Sequence, residues 1–115
     1  MRRTRRIRRW PLAGIVLIAI AAAAPAEAAP SVERQRQILR MLRQDCGSCH
    51  GLTLRGGLGP ALTPQALAGK PPEMLRATIV HGRPGTPMAP WGPFLDESEA
   101  AWLVERLLEG NTDAR

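Results

Sequence analysis

The pentapeptide Cys46-Gly-Ser-Cys49-His50 constrains this chain more than any other stretch, because it holds both cysteines and one of the two histidines. Two thiols three positions apart can add across the two vinyl groups of one protoporphyrin, and the adjacent imidazole can then bind the iron as proximal ligand. The sequence therefore predicts a covalent haem site, with thioether bonds to Cys46 and Cys49 and with His50 as an iron ligand.

Three other kinds of site use closely spaced cysteines. A structural zinc site needs four Cys or His ligands, and beyond this motif only the isolated His81 remains. A thioredoxin-like redox pair lies at a strand-to-helix junction, but no runs of β-branched residues flank this motif. A disulfide between Cys46 and Cys49 stays open as the alternative without haem, because exported chains with an even number of cysteines usually oxidise them.

Residues 1–28 have the pattern of a signal peptide. Six arginines lie within residues 1–11, and residues 12–24 form an apolar run of 13 residues that ends in small side chains. This run is shorter than the roughly 20 residues that a permanent membrane anchor needs. We expect cleavage after Ala28, export to the periplasm and one haem-binding domain over residues 29–115. An uncleaved leader that ties the chain to the membrane is the alternative.

The net charge changes once this leader is set aside. Residues 29–115 keep 10 of the 16 Lys and Arg and 9 of the 10 acidic residues, so the formal net charge falls from +6 to +1. A nucleic-acid-binding function therefore has no support from charge. A chain of 87 residues with few aromatic side chains buries a marginal core by itself. We expect the protein without haem to be poorly folded.

A first helix is predicted from about Val32 to Gln44, with Ser31 as its N-cap. Its apolar stripe leads directly into the haem motif, and its arginines are expected to form mostly a solvated face, with docking of a partner as the alternative. The stripe consists of Ile38, Leu39, Leu42 and Cys46.

A short helical turn is predicted over residues 64–68, and two further helices are predicted over residues 72–80 and 97–109. Asp96 and Glu99 form an N-terminal capping pair for the last of these helices. Its apolar stripe should pack on the stripe of the first helix. That stripe consists of Ala100, Leu103, Val104, Leu107 and Leu108.

The glycine-rich loop after the motif ends at Gly59-Pro60. Proline lacks an N–H group but keeps its carbonyl, and a backbone carbonyl near a ligating histidine typically accepts the hydrogen bond from its second ring nitrogen. We expect the Pro60 carbonyl to accept the Nδ1–H of His50. An ordinary loop proline is the alternative.

Residues 83–91 contain three prolines and predict a rigid loop. Met88 lies within it between Pro87 and Pro90, so its thioether is predicted to be the sixth ligand of the haem iron. His81 is the competing ligand, although its position at a helix end favours a surface role. Met41 and Met74 lie on helices and are expected to fill the core.

These features together resemble the class I c-type cytochromes, over nearly all of residues 31–110. The resemblance implies an all-α fold, in which three to five short helices surround one covalently bound haem c and the first and last helices cross at a steep angle. The strings over residues 46–64 and 81–88 are similar to a narrower group. This group is the small periplasmic monohaem cytochromes c that accompany cytochrome cd nitrite reductase in denitrifying bacteria.

The resemblance implies a one-electron carrier of denitrification rather than an enzyme. Its partners would be redox proteins, namely a periplasmic nitrite reductase and an upstream electron donor, and we expect a monomer that binds no nucleic acid. One alternative is a redox or assembly factor in the maturation of the haem d cofactor of nitrite reductase. Another is a haem enzyme or gas sensor with an open iron position.

Overall fold

The computed structural model describes residues 28–113, which contain five α-helical segments and one π-helical turn but no strand. The expected all-α class is therefore confirmed over this range. The segments are α1 (Val32–Met41), the π turn (Leu42–Cys46), α2 (Gly47–His50), α3 (Pro64–Leu67), α4 (Pro72–His81) and α5 (Glu97–Glu109).

The predicted leader lies outside the described residues, apart from Ala28. Among the helices that are described, none is long and apolar enough to cross a membrane.

Helical backbone continues further than the sequence predicts, because it runs from α1 through the haem motif to His50. Ser31 begins it by accepting the backbone N–H of Arg34 at 3.3 Å, as expected. In the π turn the Gly47 N–H donates to the Leu42 carbonyl, which adds one residue to a normal helical turn. The helix ends at Gly51, where φ is +90°. No proline interrupts this stretch, so nothing in it forces an end at residue 44.

The core forms where the first and last helices pack together. Leu103 of α5 is 1% exposed, and Ile38 of α1 is fully buried. Met41 packs half-buried against this core as expected, whereas Met74 is 45% exposed in the first turn of α4, so its predicted core role is wrong. The buried residues of the cluster are Ile38, Leu39, Leu42, Leu54, Leu67, Leu95, Trp102, Leu103 and Leu107.

The start of α5 has the capping box that its sequence predicts. The Asp96 side chain accepts the Glu99 N–H at 2.8 Å, and the Glu99 carboxylate accepts the Asp96 N–H at 3.1 Å. Gly110 ends the helix in the left-handed conformation, with φ at +71°.

The arginines of α1 do not all lie on a solvated face. Arg36 and Arg40 form loose, exposed pairs with Glu33, as expected. Arg34 differs, because it forms an ion pair with Glu99 of α5. The packing of α1 on α5 brings these two residues together although they are 65 positions apart in sequence.

Candidate haem site

The two thiols lie on the same continuous stretch of helix. Cys46 is the last residue of the π turn and Cys49 follows within α2, and residues three apart on a helix share one face. Both are free thiols and both are half-buried, so the alternative disulfide is not formed. Burial raises the pKa of the Cys46 thiol to about 11, and the charge of Asp45 adds to this effect. Cys46 is therefore a neutral thiol at physiological pH.

His50 is held by the hydrogen bond that the sequence predicts. Its Nδ1 lies 2.7 Å from the carbonyl oxygen of Pro60. A carbonyl oxygen only accepts, so Nδ1 carries the proton and Nε2 keeps the lone pair that can bind a metal. The loop that brings Pro60 back is tied to the motif by two backbone bonds of 2.8 Å, from Gly59 N–H to the Cys49 carbonyl and from Gly56 N–H to the His50 carbonyl.

Gly59 lies directly against the His50 ring, a contact that sequence reasoning missed. A Cβ atom at Gly59 would be 2.9 Å from both Cε1 and Nδ1 of the imidazole. No side chain fits there without moving the ring. The Gly-Pro pair signals a turn in the sequence, but the close approach depends on how residues 51–60 return to the motif.

Met88 comes from a separate loop that follows α4 and is half-buried. The Arg83 N–H donates to the Met88 carbonyl at 3.0 Å, which closes the loop on itself. His81, the competing ligand, is exposed at the end of α4, in keeping with a surface position.

The described residues fit a haem better than a bare metal ion. Within residues 28–113, no three His, Cys, Asp or Glu side chains are grouped so that they could hold a metal ion. Beside the motif, Leu52 is 79% exposed and Leu58 is 91% exposed. Two thiols on one helix face, an imidazole with a free Nε2 and apolar side chains next to them suit a flat, apolar group that is attached through its vinyls.

This fold and this site define a c-type cytochrome with the class I fold, a class of electron carriers rather than enzymes. Residues 33–105 match the family described as cytochrome c oxidase, cbb3-type, subunit III. Cytochrome c55X of Pseudomonas aeruginosa is 63% identical over 81 residues, which cover 70% of this chain and 68% of that protein. Cytochrome c55X of Stutzerimonas stutzeri is 58% identical over 99 residues, which cover 86% of this chain and 84% of that protein. The chain therefore belongs to this c-type cytochrome family and, within it, to the cytochrome c55X proteins.

Solved structures agree with this assignment. The c-type cytochrome NirC superposes with a TM-score of 0.71 at 60% identity, over 72% of this chain and 98% of that one. A dihydro-heme d1 dehydrogenase, NirN, solved in complex with DHE, gives a TM-score of 0.55 at 42% identity. That match covers 60% of this chain but only 15% of NirN, so the likeness is confined to a small part of the larger protein.

Proposed function

We propose that this cytochrome carries one haem c, attached through Cys46 and Cys49, with the iron bound between His50 and Met88. In this proposal the protein is exported to the periplasm and donates single electrons to nitrite reductase. The observation that carries the haem assignment is the 2.7 Å bond from His50 Nδ1 to the Pro60 carbonyl, next to two free thiols. This bond leaves Nε2 as the coordinating atom.

Each residue has a separate task in this arrangement. When bound, the haem iron supplies the redox chemistry by cycling between Fe(III) and Fe(II). The Pro60 carbonyl fixes the tautomer and orientation of His50 and makes the imidazole a more basic ligand. The Met88 thioether closes the sixth position and raises the reduction potential.

The proposed partner and compartment rest on the relatives and on the leader. NirC and the cytochromes c55X are similar to this protein over most of its length, and the dihydro-heme d1 dehydrogenase shares one segment with it. The arginine-rich, apolar residues 1–28 support export. Contact with a redox partner is expected to be brief and small, under about 1,200 Å² of buried surface.

Replacing Met88 tests the ligand assignment. The ferric protein should show the weak sulfur-to-iron charge-transfer band, and Met88→Ala should abolish it while Met74→Ala, on an exposed position of α4, should keep it. Ferrous wild-type protein should bind carbon monoxide poorly, because the sixth position is closed. A band that survives in Met88→Ala would contradict the assignment. Ready binding of carbon monoxide by the wild type would favour the open-site enzyme or sensor instead.

Electron delivery is tested with purified nitrite reductase. Reduced cytochrome should be oxidised by the reductase in the presence of nitrite, at a rate that rises with reductase concentration. No oxidation above the rate of the cytochrome alone would contradict the proposed donor role.

A role in maturing the haem d cofactor of nitrite reductase is the second candidate. It is favoured by the 42% identity to the dihydro-heme d1 dehydrogenase of Pseudomonas aeruginosa over 69 residues, although these make up only 14% of that protein. A deletion strain distinguishes the two functions. If its nitrite reductase lacks the cofactor, maturation is supported; if the reductase is fully loaded but receives electrons slowly, the donor function is supported.

A further inference from the structure

We propose that Gly82 and Thr86 are positioning residues for Met88. They hold the Met88 backbone in place before its thioether binds the iron. This inference rests on the proposed role of Met88 as the sixth ligand. Neither residue type suggests such a role in the sequence, where the prolines alone predict a rigid loop.

The loop that holds Met88 is closed at its base by α4. The Trp91 N–H donates to the Ile79 carbonyl at 2.9 Å, and the Gly92 N–H donates to the Val80 carbonyl at 3.0 Å. The last carbonyls of a helix have no partner within the helix, so these two bonds satisfy them and anchor the returning end of the loop. Both ends of the loop are thus attached to the last turn of α4.

Thr86 links the two sides of the loop around Met88. Its hydroxyl donates to the Arg83 carbonyl at 2.7 Å and accepts the Met88 N–H at 3.3 Å. The Met88 carbonyl in turn accepts the Arg83 N–H at 3.0 Å. Both backbone polar groups of Met88 are therefore hydrogen-bonded inside the loop.

Gly82 makes this closure possible. Its φ is +68°, and a Cβ atom there would lie 2.6 Å from the Met88 carbonyl oxygen and 2.8 Å from Pro90 N. These neighbours are backbone atoms and cannot turn aside as a flexible side chain could. Any side chain at Gly82 would push the Met88 carbonyl away from Arg83.

A ligand that is ordered in advance loses less conformational entropy when it binds. Removing this order should increase the fraction of molecules in which the sulfur has left the iron. The loss of one hydrogen bond should increase this fraction about fivefold.

The experiment uses the haem-loaded protein and two matched pairs of variants. Thr86→Val removes the hydroxyl, whereas Thr86→Ser retains it. Gly82→Ala places a Cβ against Met88, whereas Gly85→Ala also adds a side chain at a positive φ, of +77°, but meets nothing within 4 Å. The readouts are the sulfur-to-iron band of the ferric protein and the rate of carbon monoxide binding to the ferrous protein.

We expect Thr86→Val and Gly82→Ala to weaken the sulfur band and to speed carbon monoxide binding about fivefold or more. Thr86→Ser and Gly85→Ala should resemble the wild type. If Thr86→Val matches Thr86→Ser and Gly82→Ala matches Gly85→Ala, the proposal is wrong. Met88→Ala separates this outcome from failure of the ligand assignment, because a band that persists without Met88 would show that another residue binds the iron.

Discussion

Arg34 of α1 binds both carboxylate oxygens of Glu99 in α5, through its Nε and through its Nη2, which lies 2.9 Å from Oε2. The same Nη2 donates to the Phe94 carbonyl at 2.7 Å. Glu99 also completes the capping box with Asp96. One ion pair thus joins the first helix to the start of the last.

Replacing Glu99 by Gln should lower the free energy of unfolding of the holoprotein by about 1–2 kcal/mol, because a charge-assisted pair with two contacts is lost. Denaturant unfolding measures the change. Glu33→Gln is the control, because Glu33 forms only exposed pairs, and it should cost less than about 0.5 kcal/mol. Equal losses in the two variants would contradict a special role for the Arg34–Glu99 pair.

Stability should fall in acid partly through this same cluster. The hydrogen bond from Arg34 lowers the pKa of Glu99 below its ordinary 4.5, and the Glu99 N–H lowers the pKa of Asp96 below 3.8. At these two carboxyls the unfolded chain therefore binds more protons than the folded chain. Their contribution to the free energy of unfolding is complete above about pH 4.5, and it is lost as the pH falls through their folded-state pKa values. As the pH is lowered from about 6 to about 3, the denaturant midpoint should fall less steeply in Glu99→Gln than in the wild type. A decline as steep as that of the wild type would argue against this linkage.

Gly59→Ala should displace the His50 ring, since the new methyl group would lie 2.9 Å from Cε1 and Nδ1. Overpacking of this kind typically costs about 1–3 kcal/mol. The Nδ1–H proton resonance of the ferrous protein should shift or exchange faster with water. Gly92→Ala is the control, because its Cβ meets the Val80 carbonyl at 3.1 Å, away from the histidine. An unchanged His50 resonance in Gly59→Ala would disprove the close contact.

Leu103→Ala should lower the free energy of unfolding by about 2–4 kcal/mol, because it opens a cavity in the contact between the terminal helices. Leu103 is only 1% exposed. Glu105→Ala, at an exposed position of the same helix, should change the free energy of unfolding by less than about 0.5 kcal/mol. Thermal unfolding followed by circular dichroism gives both values, and similar midpoints for the two variants would place Leu103 outside the core.

Local patterns in the sequence predicted much of the fold. Helix α5 has the bounds that its capping pair and Gly110 indicate, because capping depends on residues within one turn of the helix end. The first helix was predicted too short. The extra residue of the π turn leaves no mark on apolar periodicity, and none of the residues from 44 to 50 is a proline that would stop the helix.

By itself the sequence determined the c-type cytochrome class and predicted the residues for haem attachment, because the pattern of Cys46, Cys49 and His50 lies within five consecutive residues. Only the tertiary structure decided which residues hold these groups in place. Gly59 against the His50 ring and Gly82 against the Met88 carbonyl are contacts between segments that fold back on one another. Such contacts depend on the path of whole loops, so no local pattern of residues predicts them.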